Sequence, residues 1–437
     1  MRIKQYLITQ YGAVQSDRLQ TRAIQAAIDD CFLSGGGEVV VPEGIWRTGG
    51  IRLRSHVKLH LLCGAVLEGS TDPEDYFAWR EDSLEPVDGI PEKEPERYRS
   101  ALRTSRWNNA LIRAFDAHDI AVIGEVGSVI NGMNCYDALG EEEYRGPHGI
   151  DLWDCENVTL CGYTLRNTGN WAHAIFRTKS LDIRNVRVLG GHDGLDIFLC
   201  EGVKIEDCAF YTGDDSLAGF GSKDVVMRRC ILNSSCSAIR FGGTDVLIED
   251  CRTDGEPRFD FRGALSVEEK ARSAYSGHRT AHKTLTGFMY YCDERFGKLP
   301  YMPGNITVRR CVFDEVRTLF TMVFGDHIWC KGTSLASITF EDCTAAGMVM
   351  PIHIHGDPEN PVAFALNRVT ISPATGHESD AFLDAENYRS LTLQLVQLEK
   401  YTAPHMVLRS NGEVTASDCT DFRTEQAAAG AAGVIGW

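Results

Sequence analysis

The chain of 437 residues is 43% hydrophobic and 24% charged, the composition of a globular protein with room for two or three average domains or one elongated repeat domain. A net charge of −17 argues against nucleic acid or an anionic membrane as a partner, so an anionic substrate would need a locally basic pocket. No stretch approaches the ~18 apolar residues of a membrane span. The first ten residues lack the apolar core of a secretory signal, and the 15 cysteines include no C-x-x-C pair, so reduced thiols and a cytoplasmic location are expected.

Residues 21–33 read as a short helix, with Ala23, Ile24, Ala27, Ile28 and Cys31 on one face and Ser34-Gly35-Gly36-Gly37 as its stop. Placed ahead of strand-like runs at Glu38–Pro42 and around Val57, Leu59 and Leu61, it would plug the open end of a stacked core. Residues 71–107 are rich in Pro, Glu and Arg without a sustained period, and read as a surface excursion that ends in Arg97, Arg99, Arg103 and Arg106.

A repeat follows. Apolar anchors fall at Val158, Leu181, Val203, Val225 and Val246, spaced 23, 22, 22 and 21 residues apart, and resume at Ile306, Ile338, Leu391 and Val414. Apolar and polar residues alternate around each anchor, which is strand periodicity. Five residues on stand Cys208, Cys230, Cys251, Cys311, Cys343 and Cys419, a register that suits a small buried side chain stacked rung upon rung. The whole predicts an all-β, single-stranded parallel β-solenoid over residues 1–437 as one domain. Cys208, Cys230 and Cys251 are expected as buried free thiols in one core file.

The 60 residues from Val246 to Ile306 exceed one rung, so residues 252–302 are expected to hold an insertion over a cleft. It carries nine Lys or Arg against seven Asp or Glu, and Arg258, Arg262 and the pair His278-Arg279 are candidates to face an anionic sugar. The Ala/Gly-rich tail within 423–437 is expected to pack against something the sequence does not name.

Two turns carry the chemistry: Gly191-His192-Asp193-Gly194 and Thr212-Gly213-Asp214-Asp215. Asp193 and Asp215 are 22 residues apart, one repeat, which puts them on adjacent rungs about 4.8 Å apart with Asp214 beside them. Gly-Asp-Asp alone is an ordinary turn composition; the registered Asp193 distinguishes it. Crowded carboxylates raise one another's pKa and can keep a proton available near neutral pH.

These motifs resemble those of glycoside hydrolase family 28, the polygalacturonase-like hydrolases. Tyr11-Gly12-Ala13-Val14, Ala23–Asp29, Gly35-Gly36-Gly37 and Val41-Pro42-Glu43-Gly44 are similar to the family's opening. Asn167–His173 resembles its Ser-Pro-x-Trp-x-x-His segment, His192–Ile197 its Asn-Thr-Asp-Gly-x-Asp segment, and Thr212–Asp215 its Gly-Asp-Asp motif. The resemblance implies a right-handed parallel β-helix and an inverting hydrolase without metal or cofactor. Asp214 would be the general acid, with Asp193 and Asp215 holding and activating water. An inverting pair ordinarily stands ~6.5–9.5 Å apart.

The family's Gly-His-Gly histidine is replaced by Ser237, and no Arg-Ile-Lys follows, so Arg240 and Arg258 are candidates to grip a sugar carboxylate, with His173, His192, Ser237 and Arg262 as further substrate contacts. The expected partner is a pectin-derived or other acidic oligosaccharide, with no nucleic acid and no membrane; the oligomeric state is not legible. Rival readings are a Ca²⁺-dependent polysaccharide lyase on the same architecture and a non-catalytic carbohydrate-binding β-helix.

Overall fold

The computed structural model describes residues 4–76, 109–270, 282–293, 299, 301–325 and 330–428. Arg97, Arg99, Arg103, Arg106, the pair His278-Arg279 and the end of the tail lie outside the described residues. The chain divides into two compact units, residues 1–214 with 258–279 and residues 215–257 with 280–437. Its architecture is a right-handed parallel β-helix.

In the first unit each rung contributes three short strands. Ala110–Phe115, His148–Trp153, His173–Phe176 and Leu195–Phe198 pair in series along one face. His118–Gly124, Glu156–Cys161, Lys179–Arg184 and Glu201–Glu206 form the second series. Val129–Asn131, Thr164–Arg166, Arg187–Gly190 and Ala209–Thr212 form the third. The anchors Val158, Leu181 and Val203 pair with one another and with Ile120, all buried.

The ladder begins earlier than the sequence spacing indicates. Val57–Leu61 pairs with both His118–Gly124 and Gly37–Val41, and the excursion between those rungs hides the period. The helix occupies Thr21–Leu33 and buries Ile24, Ala27, Ile28 and Cys31 against the strands Gln5–Leu7 and Gly37–Val41. Burial pushes the Cys31 thiol up to about 11.

The strand His148–Trp153 is buried on both faces. Trp153 stacks on Phe176 at 3.9 Å between ring centroids, and Phe176 on Phe198 at 4.9 Å, one ring per rung. Beside them Asp151 accepts a 2.7 Å hydrogen bond from the Trp153 indole and lies 3.3 Å from the Arg113 guanidinium. Desolvation, opposed by Arg113 and the indole, pushes the Asp151 carboxyl up to about 7. An unfolded aspartate ionises near ~3.9, so between about pH 4 and pH 7 the folded state holds the extra proton and loses stability as pH rises. Asp151→Asn keeps an acceptor for the indole and abolishes this titration. Its stability relative to the parent should therefore rise by about 2–3 kcal/mol from pH 5 to pH 7, read from urea midpoints. A difference that ignores pH would contradict the buried-acid reading.

The second unit continues the same pattern. Val225, Val246, Ile306 and Ile338 pair in order, followed by Phe364, Leu391 and Val414. Phe364 is a rung that the anchor spacing skips. Within residues 252–302 the strand Thr286–Tyr290 also belongs to the ladder, pairing with Ser237–Phe241 and with Phe320, so the insertion is shorter than expected. Phe320 lies 5.3 Å from Phe364, and Phe340 5.9 Å from Phe364, ring to ring. Truncating one such phenyl ring to alanine costs about 3–5 kcal/mol.

The cysteine register has a more specific cause than size. Asp207, Arg229, Asp250, Arg310, Asp342 and Asp418 all stand at φ between 51° and 56°, a left-handed corner that turns one strand into the next. The following cysteine lies within 3.2–3.3 Å of the carbonyl two residues back, to which its thiol donates, from Cys208 on Glu206 to Cys419 on Ser417. A second corner in the first unit repeats the device with Cys155, Thr178 and Cys200; threonine works because its hydroxyl donates in the same way. Cys208, Cys230 and Cys251 are buried free thiols, and the Cys230 amide donates to the Cys251 sulfur at 3.4 Å.

At the corner of the second unit, charge alternates along the stack: Arg229, Asp250, Arg310, Asp342, Arg368, each with positive φ. Arg310 binds Asp250 through Nε at 2.7 Å and Nη2 at 2.9 Å. Arg368 binds Asp342 through the same two nitrogens. These exposed pairs add little stability singly, but they accompany a backbone conformation that arginine seldom adopts.

Candidate active site

In the first unit, residues 191–194 link the strands Arg187–Gly190 and Leu195–Phe198 and present Asp193. One repeat on, the strand Ala209–Thr212 ends in Gly213-Asp214. The Thr212 hydroxyl donates to the Asp214 carbonyl at 2.7 Å, and the Gly213 amide to the Gly190 carbonyl at 2.8 Å. Thr168 repeats the lock on Asn170 at 2.6 Å, so Thr-Gly-Asn and Thr-Gly-Asp are the same local turn.

Gly213 is required by a close approach rather than by its own φ: a Cβ there would lie 1.9 Å from the Asp260 carbonyl oxygen, and one at Gly191 3.0 Å from the Arg262 Cβ. Part of the insertion therefore lies directly against both turns, and its Arg262 amide donates to the Gly191 carbonyl at 2.9 Å.

Carboxylate oxygens of Asp193 and Asp214 come within 4.8 Å of each other. Asp193 is 2% exposed, while Asp214 is half-buried. The two turns hang from neighbouring rungs, whose spacing brings the two carboxylates together.

The sequence reading missed their counter-ion, Arg145. It is buried, donating to Asn170 Oδ1 at 3.2 Å, to His192 Nδ1 at 3.1 Å and to Glu142 Oε2 at 2.9 Å. Burial opposes its charge, but Tyr144, Glu142, Asp214 and Asp193 outweigh burial and raise its pKa above the ordinary value. Burial first, then the charges of Arg145 and Arg262, hold His192 well below the usual imidazole range. It is a neutral ring whose Nδ1 accepts from Arg145, which assigns the proton to Nε2.

Several candidates stand elsewhere than expected. Arg262 is 1% exposed, and its guanidinium donates to the carbonyls of Thr168, Gly169, Asn134 and Lys270. It ties the insertion to the rungs and has no face for a sugar. His173 is buried: Nδ1 lies 2.9 Å from the Gly194 carbonyl and Nε2 3.0 Å from the Tyr163 hydroxyl. Burial lowers its pKa to about 4, so a neutral imidazole holds the turn that carries Asp193. Arg258 is exposed, with its guanidinium carbon 4.2 Å from the Tyr211 ring centroid.

In the second unit Asp215 is buried; it accepts from the Ser237 amide at 2.9 Å and from Arg240 Nε. Arg240 also lies 4.5 Å over the Tyr291 ring. Ser237 is itself 2% exposed and serves Asp215 through its backbone. Arg240 is thus committed to a protein carboxylate.

A family model described as glycosyl hydrolases family 28 matches residues 99–237, which contain all three aspartates. A probable polygalacturonase of Vitis vinifera is 26% identical over 269 residues, 56% of this chain and 52% of that protein. An exo-poly-alpha-D-galacturonosidase of Dickeya chrysanthemi is 27% identical over 263 residues, 49% of this chain and 42% of that protein. The chain thus spans about half the length of these curated relatives. Among solved structures, a hyperthermoactive exopolygalacturonase from Thermotoga maritima superposes with a TM-score of 0.57 at 17% identity, covering 85% of this chain and 87% of that one. It shares the β-helical fold. Both motif-bearing turns thus lie inside the segment that matches family 28 of the glycosyl hydrolases, and the chain is similar to polygalacturonases over about half its length.

Proposed function

We propose that the chain is a glycoside hydrolase acting on a pectin-derived or other acidic oligosaccharide, with Asp214 as general acid and Asp193 and Asp215 as the residues that hold and activate water. The observation that carries the reading is the pair Asp193 and Asp214, carboxylates within 4.8 Å beside the buried cation Arg145. Of the two, Asp214 is the more exposed, as the residue that meets the leaving oxygen must be. Asp193 is fixed through a turn that His173 and the Ala172 amide both bind, which suits a group that positions water rather than one that moves. Arg258, exposed above Tyr211, supplies a planar fork for a sugar carboxylate. Cleavage at chain ends is the mode in the name of the Dickeya relative, and the one we propose.

Stereochemistry is the decisive test, because attack by water inverts the anomeric centre and a covalent intermediate retains it. Proton NMR during the first turnovers on oligogalacturonides should show the product anomer opposite to the substrate linkage, with monosaccharide released. A product of retained configuration would make Asp193 a covalent nucleophile and overturn the water-activating role. No release of reducing ends from acidic oligosaccharides would overturn the substrate class.

A further inference from the structure

Far from the catalytic turns in sequence, two histidines and an aspartate meet on the exposed corner of three consecutive rungs. The pairings Lys58 with Ala121 and Val158 with Ile120 put His56, Asp119 and Asn157 at equivalent corner positions. All three are left-handed, with φ of 63°, 57° and 56°. Stacked residues of one conformation send their side chains in one direction. His118, which precedes Asp119, joins the group because the left-handed bend turns the two neighbours to the same side.

We propose that His56, His118 and Asp119 form a binding site for a divalent transition metal of the zinc class. His118 Nδ1 lies 2.9 Å from Asp119 Oδ2, and His56 Nδ1 lies 3.4 Å from the same oxygen. The three candidate ligand atoms all lie within 4.8 Å of one another. Zinc bonds of ~2.0–2.2 Å place neighbouring ligand atoms about 2.9–3.5 Å apart, so little movement is needed. Two imidazoles and one carboxylate form a borderline-soft donor set that suits Zn²⁺, Co²⁺ or Ni²⁺ better than Ca²⁺ or Mg²⁺.

Asn157 is the second observation. Its Nδ2 donates to Asp119 Oδ1 at 3.2 Å, which orients the carboxylate and leaves Oδ2 towards the imidazoles, the outer support that ligating carboxylates usually have. The His56 amide also donates to the His118 carbonyl at 2.9 Å, so the two rings are held on adjoining rungs by the ladder itself. Binding transfers no electrons: the proton through which His118 Nδ1 holds Asp119 is released to water or replaced by one on Nε2, and the Nδ1 lone pairs so freed bind the ion while each ring carries its one remaining proton on Nε2. The remaining positions go to water, and the ion would staple two rungs near the N-terminal end of the stack.

The test is calorimetric titration of the intact chain with Zn²⁺. One ion should bind, and His56→Asn and Asp119→Asn should each weaken binding at least ~10-fold; asparagine is chosen because it tolerates the left-handed backbone. Asn157→Gly, which also tolerates the left-handed backbone, should weaken it by about 10-fold without removing a ligand. The thermal midpoint of the parent should rise with added Zn²⁺, because the ion binds the folded state, and that of His56→Asn should not. A parent that takes up no Zn²⁺, or variants that bind as the parent does, would overturn the proposal. So would a strong near-ultraviolet sulfur-to-metal band with Co²⁺, since it would put the ion on a thiol such as the exposed Cys63.

Discussion

Asp214→Asn should lower turnover by at least about 10²-fold, the usual scale for losing a general acid, while leaving the fold intact. Its carbonyl, the Thr212 hydroxyl and the Gly213 amide already lock the turn, and the amide side chain is nearly isosteric. The loss should shrink on a substrate whose leaving group departs without a proton, such as an activated aryl glycoside. Asp193→Asn should lose turnover on both substrates, because water must be activated whatever leaves. Steady-state kinetics on the two substrates separates these cases. Equal losses for Asp214→Asn on both would remove its assignment as the acid, and rescue of Asp193→Asn would exchange the two roles.

Arg145→Met should displace the pH–rate profile to higher pH and destabilise the chain. The guanidinium is the buried positive charge that Asp193 and Asp214 act upon. Without it the ionised form of each acid is less favoured, so carboxyl pKa values rise, by roughly 1–3 units for a close opposite charge. Both limbs of the kcat/KM profile should therefore move in the alkaline direction. Removing one partner of a buried, hydrogen-bonded charge network costs about 3–5 kcal/mol, measurable by urea unfolding at neutral pH. Arg145→Lys should restore part of the profile but little of the stability, since an ammonium cannot span Asn170, His192 and Glu142 at once. A destabilised Arg145→Met enzyme with an unmoved pH profile would mean that this arginine only builds the site.

The parts of the molecule that follow a period were legible, and those that depend on a distant segment were not. Val158, Leu181 and Val203 pair in the register their spacing indicates, because a solenoid turns sequence distance directly into neighbourhood. Phe364 escaped because the stretch between Ile338 and Leu391 was not divided into two rungs. Arg145 follows Glu141-Glu142-Glu143-Tyr144, an aperiodic charged stretch that reads as a solvated loop, and nothing local signals that it turns inward. The reverse error concerns Arg262 and His173. Both are polar residues near the two aspartate-bearing turns, and whether such a side chain meets solvent or backbone carbonyls is decided by what packs over it. Gly213 shows the same limit: the turn composition was legible, but the reason for glycine is the Asp260 carbonyl, 47 residues on.

The alternating corner charges of the second unit impose a parity rule on its evolution. Solenoids lengthen and shorten by whole turns, and backbone geometry alone is indifferent to how many are gained or lost. Here the sequence Arg229, Asp250, Arg310, Asp342, Arg368 makes the count matter. Excising the turn of Asp342 would bring Arg310 against Arg368, two cations with no acid between them. Excising that turn together with the turn of Arg310 would put Asp250 against Arg368 and restore opposite signs at the new junction. Lineages that trim or duplicate this stretch should therefore do so in even numbers, or carry a charge reversal at the seam.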